Sequence, residues 1–273
     1  MSVPLLTEGM QARIEACTTA FHVRWLELLR DLPGNSSGVE IRRFGDDVIA
    51  TSASTYPEVV WMQHVSRLTP ADVACVPKVA AWYHAKMIRP RFEIAPVPDF
   101  EPLAAALVDV GARQSGFIDV LWSRVETHEA SIKHDVTVRV VEPGTDDAQQ
   151  FARVLLGGHE VPDDAFVDHW AAVALWSSEP EWWCYLADVD GEPVGAAALI
   201  VADGIGYLAN AATLPAGREH GCHQALIDAR LRDAAAAGCE LFLALANPGG
   251  GSHRNLERAG LGVAYTKVMW TVV

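Results

Sequence analysis

Arg218-Glu219-His220-Gly221-Cys222-His223 is the stretch best equipped for chemistry. It falls where a strand pattern, Ile205–Leu214, and a Pro215–Gly217 turn give way to a helix pattern that begins at Glu219. The first turn of a helix has backbone N–H groups with no internal acceptor and carries the positive end of the helix dipole. Gly221 has no Cβ, so a ligand can come close to the backbone there. Arg218 adds a guanidinium suited to phosphate oxygens. Together these make an anion site, most simply for a diphosphate. The spacing is neither the Gly-x-Gly-x-x-Gly of dinucleotide folds nor a P-loop. An ordinary helix start whose glycine eases packing is the competing reading of six residues.

The elements around this stretch must position it. Upstream, Trp182–Val189 and Pro193–Val201 alternate as strands joined by Asp190-Gly191, and Asp203-Gly204 makes the next hairpin. Such hairpins imply antiparallel strands, which argues against a doubly wound parallel sheet. Downstream come a strand, Glu240–Ala246, a glycine-rich loop, Asn247–Gly251, a short helix, Ser252–Ala259, and Gly260-Leu261. Ser252 reads as the N-cap of that helix.

This order of elements resembles the GNAT superfamily of acyl-CoA-dependent N-acyltransferases, over about Val136–Val273. The family carries Arg/Gln-x-x-Gly-x-Gly/Ala before a helix, and here His223 stands where the last small residue is usual. The later Ser252-His-Arg-Asn255-Leu-Glu-Arg-Ala-Gly260-Leu261 looks like the family's Asn-containing helix, but its usual tyrosine acid falls on Leu256. The resemblance implies acetyl-CoA as co-substrate, an amine as acceptor and direct attack on the thioester, with no metal. Residues 218–223 would hold the diphosphate. Ala212, Thr213 and Leu214 would line the pantetheine, with Asn247, Ser252 and Asn255 approaching it from the other side.

Proton transfer has no obvious owner. The family often places a carboxylate on the strand equivalent to 205–214, and none occurs there. Tyr207 is the candidate relay on that strand, against the plain reading of a packed tyrosine. Glu160, with Asp163 and Asp164, lies on the loop that borders the acceptor in this family, against the reading of solvated carboxylates. His253 is a stand-in for the missing tyrosine, against the reading of an exposed loop histidine. Tyr265 is a further donor candidate, or core.

The first half of the chain echoes the second. Residues 10–30 form an amphipathic helix, with Ile14, Cys17, Phe21, Trp25 and Leu28 on one face. Strands follow at Val39–Phe44, Asp47–Ala50 and Glu58–Leu68. Thr69-Pro-Ala-Asp72 opens a helix over about 70–88 that Pro77 divides or kinks. Then come a strand at Arg91–Ala95, a helix at Phe100–Ala112, Gly116-Phe117 and a strand at Ile118–Glu126. The expected fold is α+β: two GNAT-like halves, each a mostly antiparallel central sheet flanked by helices. Residues 1–130 form a degenerate domain and 136–273 the acetyltransferase domain, joined through 128–135. At the place of Arg-x-x-Gly the first half has an acid, Asp72, so no CoA site is expected there.

The totals set limits. A net charge of −14 argues against nucleic acid and anionic membranes as partners. The 5 cysteines are scattered and odd in number, which reads as reduced thiols in a cytoplasmic protein. No signal peptide is expected from the N-terminal residues. A monomer or homodimer is expected. A degenerate fold that binds acyl-CoA, as a sensor, stays open beside the enzyme.

Overall fold

The computed structural model describes residues 6–57, 59–125, 136–142, 145–161, 167–168, 170–171 and 182–272. Asp163, Asp164 and the linker 128–135 lie outside the described residues. The chain divides into two compact units. The first holds Thr7–Asp119 and Tyr265–Val273, and the second holds Val120–Ala264.

In the first unit, helix α1 (Glu8–Asp31) starts at Thr7, whose hydroxyl accepts from Met10 N–H at 3.2 Å. Ile14, Cys17, Trp25 and Leu29 are buried, while Phe21 and Leu28 are half-buried, so the inner face is turned slightly toward Leu26 and Leu29. Strands β1 (Val39–Phe44), β2 (Val48–Ala53) and β3 (His64–Ser66) pair antiparallel in turn. The long strand expected over 58–68 is therefore only three residues, because Val60–Met62 curl into a 3-10 turn first. Thr69 caps the next segment: its N–H and hydroxyl both donate to Asp72 Oδ2, at 3.1 and 2.6 Å. That segment is a 3-10 turn, Pro70–Cys75, followed by helix α2 (Val76–His84), and the division falls at Pro77. Strand β4 (Arg91–Ile94) then runs parallel to β3. A parallel pair needs a crossover, and α2 supplies it.

Helix α3 (Glu101–Asp109) leads to β5 (Ala112–Arg124). Helix α3 gives way at Gly111, with φ +79°, and β5 begins at once, so Gly116-Phe117, expected between helix and strand, lies inside β5. Val65, Val79, Tyr83, Phe92, Leu103 and Leu107 form the core of this unit.

The second unit repeats the plan. Strands β6 (Thr137–Val140), β7 (Trp182–Val189), β8 (Glu192–Ala202) and β9 (Ile205–Thr213) are antiparallel neighbours, and β10 (Leu241–Ala246) is parallel to β9. Asp190 and Gly191 have φ of 52° and 84°, and Asp203 and Gly204 48° and 71°. Positive φ at both central residues is the turn that matches strand twist. Helix α4 (Asp147–Gly158) covers β8 and β9, and helix α5 (Cys222–Ala236) is the crossover between β9 and β10. A Cβ at Gly206 would lie 2.5 Å from Ala234 Cβ, so α5 lies close against β9. Leu208, Leu226, Leu231, Phe242 and Leu256 fill the core.

Helix α6 (Gly251–Arg258) and β11 (Gly262–Val272) end the chain. The last strands are exchanged: Val268–Thr271 of β11 pair antiparallel with β4, while β5 lies beside β10. Each half of the sequence thus completes the sheet of the other unit. Among the described residues no helix is long and apolar enough to cross a membrane.

Candidate functional site

The second unit contains a separation between parallel strands. Residues of β9 and β10 are in register from Ile205/Leu241 to Leu208/Ala244 and no further. Beyond that point β9 runs on through Thr213 and β10 through Ala246. The cause is a bulge in β9: Ala209 is opposite Ala198 and Ala212 opposite Ala196, so Asn210 and Ala211 face one residue of β8. Asn210 takes φ +45° to accommodate it. A bulge bends its strand and ends pairing locally. The sequence analysis did not foresee this, although an asparagine inside an otherwise apolar strand was its signal.

Arg230, also not foreseen, sits under the bulge. It is 1% exposed. Its Nη1 donates to Ala198 O and Ala209 O, both at 3.2 Å, and its Nε to Leu226 O at 2.9 Å. Burial lowers its guanidinium to about 10, against a small opposing pull from Tyr185. The charge is held by carbonyl dipoles at the two strands that frame the bulge. From sequence it looked like one more helix arginine.

After β9 the chain makes a turn at Pro215–Gly217 and reaches the exposed Arg218, Glu219 and His220. Glu219 and Gly221 have φ of +67° and +81°. Helix α5 therefore begins at Cys222, three residues later than expected, because a left-handed Gly221 at its N-cap cannot continue helical backbone. Its first intrahelical bond is Ala225 N–H to Gly221 O, which leaves the amides of Cys222, His223 and Gln224 without an intrahelical acceptor. Among the described residues Arg218 has no ion-pair partner. These groups meet the requirements of an anion cradle, with the Glu219 carboxylate beside it.

His223 is tied to α6. Asn255 Nδ2 donates to its Nδ1 at 3.1 Å, which puts the imidazole proton on Nε2, 3.4 Å from Ser252 Oγ. Arg258 Nη1 donates to Asn255 Oδ1 at 2.7 Å and fixes the amide. Burial, then the Arg230 charge, lowers His223 to about 4, so it is neutral. Ser252 is not the helix cap: Gly250 is, and no side chain caps it.

The other expected residues distribute as follows. Ala212 is buried and Thr213 half-buried at the end of β9, and Thr213 Oγ1 is buried without a hydrogen-bond partner among the described residues. Leu214 follows, with its N–H bonded to Val194 O. The end of α4 packs here: a Cβ on Gly158 would lie 2.7 Å from Ala212 Cβ and 3.1 Å from Thr213 N. Glu160, exposed and with φ +58°, closes that helix end. Tyr207 is buried in the part of β9 that still pairs with β10. Asn247 is exposed after β10. His253 is not a loop histidine: it lies on α6, 7% exposed, with Nδ1 3.3 Å from Glu257 Oε2. Leu256 is 3% exposed and belongs to the core, so that position presents nothing to a ligand. Tyr265 is in the first unit, where its hydroxyl donates to Glu15 at 2.6 Å.

A comparison with protein families matches residues 124–250 to the acetyltransferase (GNAT) domain. The likeness to the GNAT family therefore lies in the second half of the chain. No curated protein matches it. Among solved structures, a GCN5-related N-acetyltransferase from Kribbella flavida is similar at TM-score 0.66 and 19% identity, covering 97% of this chain and 96% of that one. One from Sphaerobacter thermophilus gives 0.61 and 16%, covering 90% and 84%. A tandem GNAT protein from the clavulanic acid biosynthesis pathway gives 0.58 and 12%, covering 94% and 95%. At such identities the likeness is one of fold, and the fold is that of two GNAT-like halves.

Proposed function

We propose that the second unit is a GNAT-type acyl-CoA-dependent N-acyltransferase, with acetyl-CoA as donor and a small-molecule amine as acceptor. The observation that carries this reading is the separation of β9 from β10 at the Asn210 bulge, ending at the amides of Cys222–Gln224, which have no intrahelical acceptor. In this reading the diphosphate lies on those amides with Arg218 over it, and the pantetheine arm runs along Ala212–Leu214. The residues of 1–130, with Asp72 in the first turn of their crossover segment, bind no CoA.

The chemistry is a direct transfer. The amine nitrogen attacks the thioester carbon, the carbonyl oxygen takes up charge, and the C–S bond breaks to leave an amide and free CoA. A backbone N–H at the bulge polarises the oxygen. The amine must arrive neutral, and the thiolate must gain the proton that the amine loses. Glu160, on the helix end packed against Ala212 and Thr213, is the proposed base, with Tyr207 and His253 proposed to move protons further. Leu256 offers no acid, so the proton also has a route through water.

Leu256 is the one observation that favours a second reading, an acyl-CoA-binding sensor without turnover. A single experiment separates the two. CoA should raise the melting temperature, by the equivalent of about 2.7 kcal/mol at 100 times its dissociation constant. Acetyl-CoA with a panel of amines should then release free thiol. Binding without thiol release favours the sensor, and no binding ends both readings.

A further inference from the structure

The first unit has a cavity of about 260 Å³ that the proposed reaction does not use. Its walls include Leu68 and Thr69, just past β3, and Ala95–Pro98, just past β4. The last registered pair of those parallel strands is Val65/Phe92, so the cavity opens where the strands stop pairing. It is the first unit's counterpart of the cleft between β9 and β10. Helix α1 closes it, and Gln11 Nε2 ties α1 to Pro96 O at 2.7 Å.

The charges here are opposite to those of the CoA cleft. Glu8, Glu15, Asp47 and Glu93 line the cavity against one cation, Arg67, which is 3.2 Å from Asp47. Two of the carboxylates are deep, with side chains 13% exposed for Glu15 and 11% for Glu93. Glu93 is engaged on both oxygens, with Arg91 at 2.5 Å and His64 at 3.5 Å. Glu15 is not. Its Oε1 takes both the Tyr265 hydroxyl, at 2.6 Å, and Lys267 Nζ, at 3.0 Å, while Oε2 has no partner among the described residues. Asp47, Glu93 and Glu15 are paired with Arg67, Arg91 and Lys267, so the charge left uncompensated is that of Glu8, in the exposed first turn of α1. A phosphate would be repelled. A cation that also has apolar surface would meet a free carboxylate oxygen, with Ala12, Leu68 and Pro96 beside it.

We infer that this cavity is a receptor for a small primary alkylammonium, its charge on Glu15 Oε2 and its carbon chain against Ala12, Leu68 and Pro96. The volume is below the range of drug-sized pockets, which fits a ligand of this size. The site does not depend on the CoA reading of the second unit.

The probe is n-hexylammonium, with hexan-1-ol and hexanoate as neutral and anionic controls of equal length, each titrated into the full chain by calorimetry. The ammonium is expected to bind at least tenfold more tightly than either control. Equal binding of the alcohol, or no binding of the ammonium, overturns the inference. Glu15→Gln should weaken the ammonium at least tenfold. Because that change leaves Lys267 without its carboxylate, Ala12→Trp is the second variant: it fills the cavity, leaves the ion pairs in place and should abolish binding. Parent-like binding by a folded Ala12→Trp protein overturns the inference. Saturating CoA should leave the titration unchanged, whether or not CoA itself binds, and competition between the two overturns it.

Discussion

Replacing Arg230 by methionine tests how the bulge in β9 is held. Methionine keeps a flexible chain of similar length and donates no hydrogen bond. Three bonds to carbonyl oxygens are lost. Each is charge-assisted, worth about 1.5–3 kcal/mol. Against this, a guanidinium that burial lowers to about 10 costs roughly 3 kcal/mol to keep ionised at neutral pH. That cost disappears in the variant. Leu226 O lies in helix α5 and keeps its backbone bond, so the lasting loss is at Ala198 O and Ala209 O. Two such bonds less the ionisation cost leave an expected destabilisation centred on about 1.5 kcal/mol and no more than about 3 kcal/mol. Urea denaturation measures it as a lower midpoint at unchanged slope. Since the two orphaned carbonyls frame the bulge, CoA affinity should fall as well. Arg230→Lys, which keeps a charge but not the fork of donors, should lie between. A methionine variant within about 0.5 kcal/mol of the parent, with parent CoA affinity, would refute the reasoning.

Further outcomes follow from the same geometry. His223 has a folded pKa of about 4 against 6.5 unfolded, so its contribution is complete above pH 6.5 and is lost as pH falls toward 4. Partial exposure holds it to about 1–2 kcal/mol. The pH dependence of melting between 4 and 7 should be flatter in His223→Gln than in the parent, and equal slopes would remove His223 as the cause. Arg218→Ala should weaken CoA ten- to a hundredfold, the value of a charge-assisted bond to phosphate, with little change in melting temperature. Gly221→Val puts a β-branched residue at φ +81° and should lose both CoA binding and about 1–2 kcal/mol of stability, read by calorimetry and denaturation. Leu256→Tyr should not restore a proton donor; overpacking the core should cost about 1–3 kcal/mol, and a gain in turnover would contradict the placement of that side chain.

The sequence showed most of what depends on local chemistry. The hairpins at Asp190-Gly191 and Asp203-Gly204, the Thr69–Asp72 cap and the break at Pro77 are written in residues whose backbone preferences are strong, and all are present. The duplication was legible in the tails of the two halves, where a strand, a helix and a long strand recur as β4-α3-β5 and β10-α6-β11. What stayed hidden depends on partners far along the chain. The exchange of β5 and β11 is a matter of pairing, to which alternation within a strand is blind. Arg230 becomes distinctive only when Ala198 and Ala209 are brought to it. The same holds for Glu15, whose partners Tyr265 and Lys267 come from the last strand. The start of α5 was missed because Glu219 adopts a positive φ that no rule for glutamate suggests.

The most direct measurement is a crystal structure of the chain soaked with CoA. The account predicts diphosphate density on the amides of Cys222, His223 and Gln224, with Arg218 over it and the sulfur end between β9 and β10. CoA bound elsewhere, or a helix mouth that stays empty at saturating concentration, would contradict it.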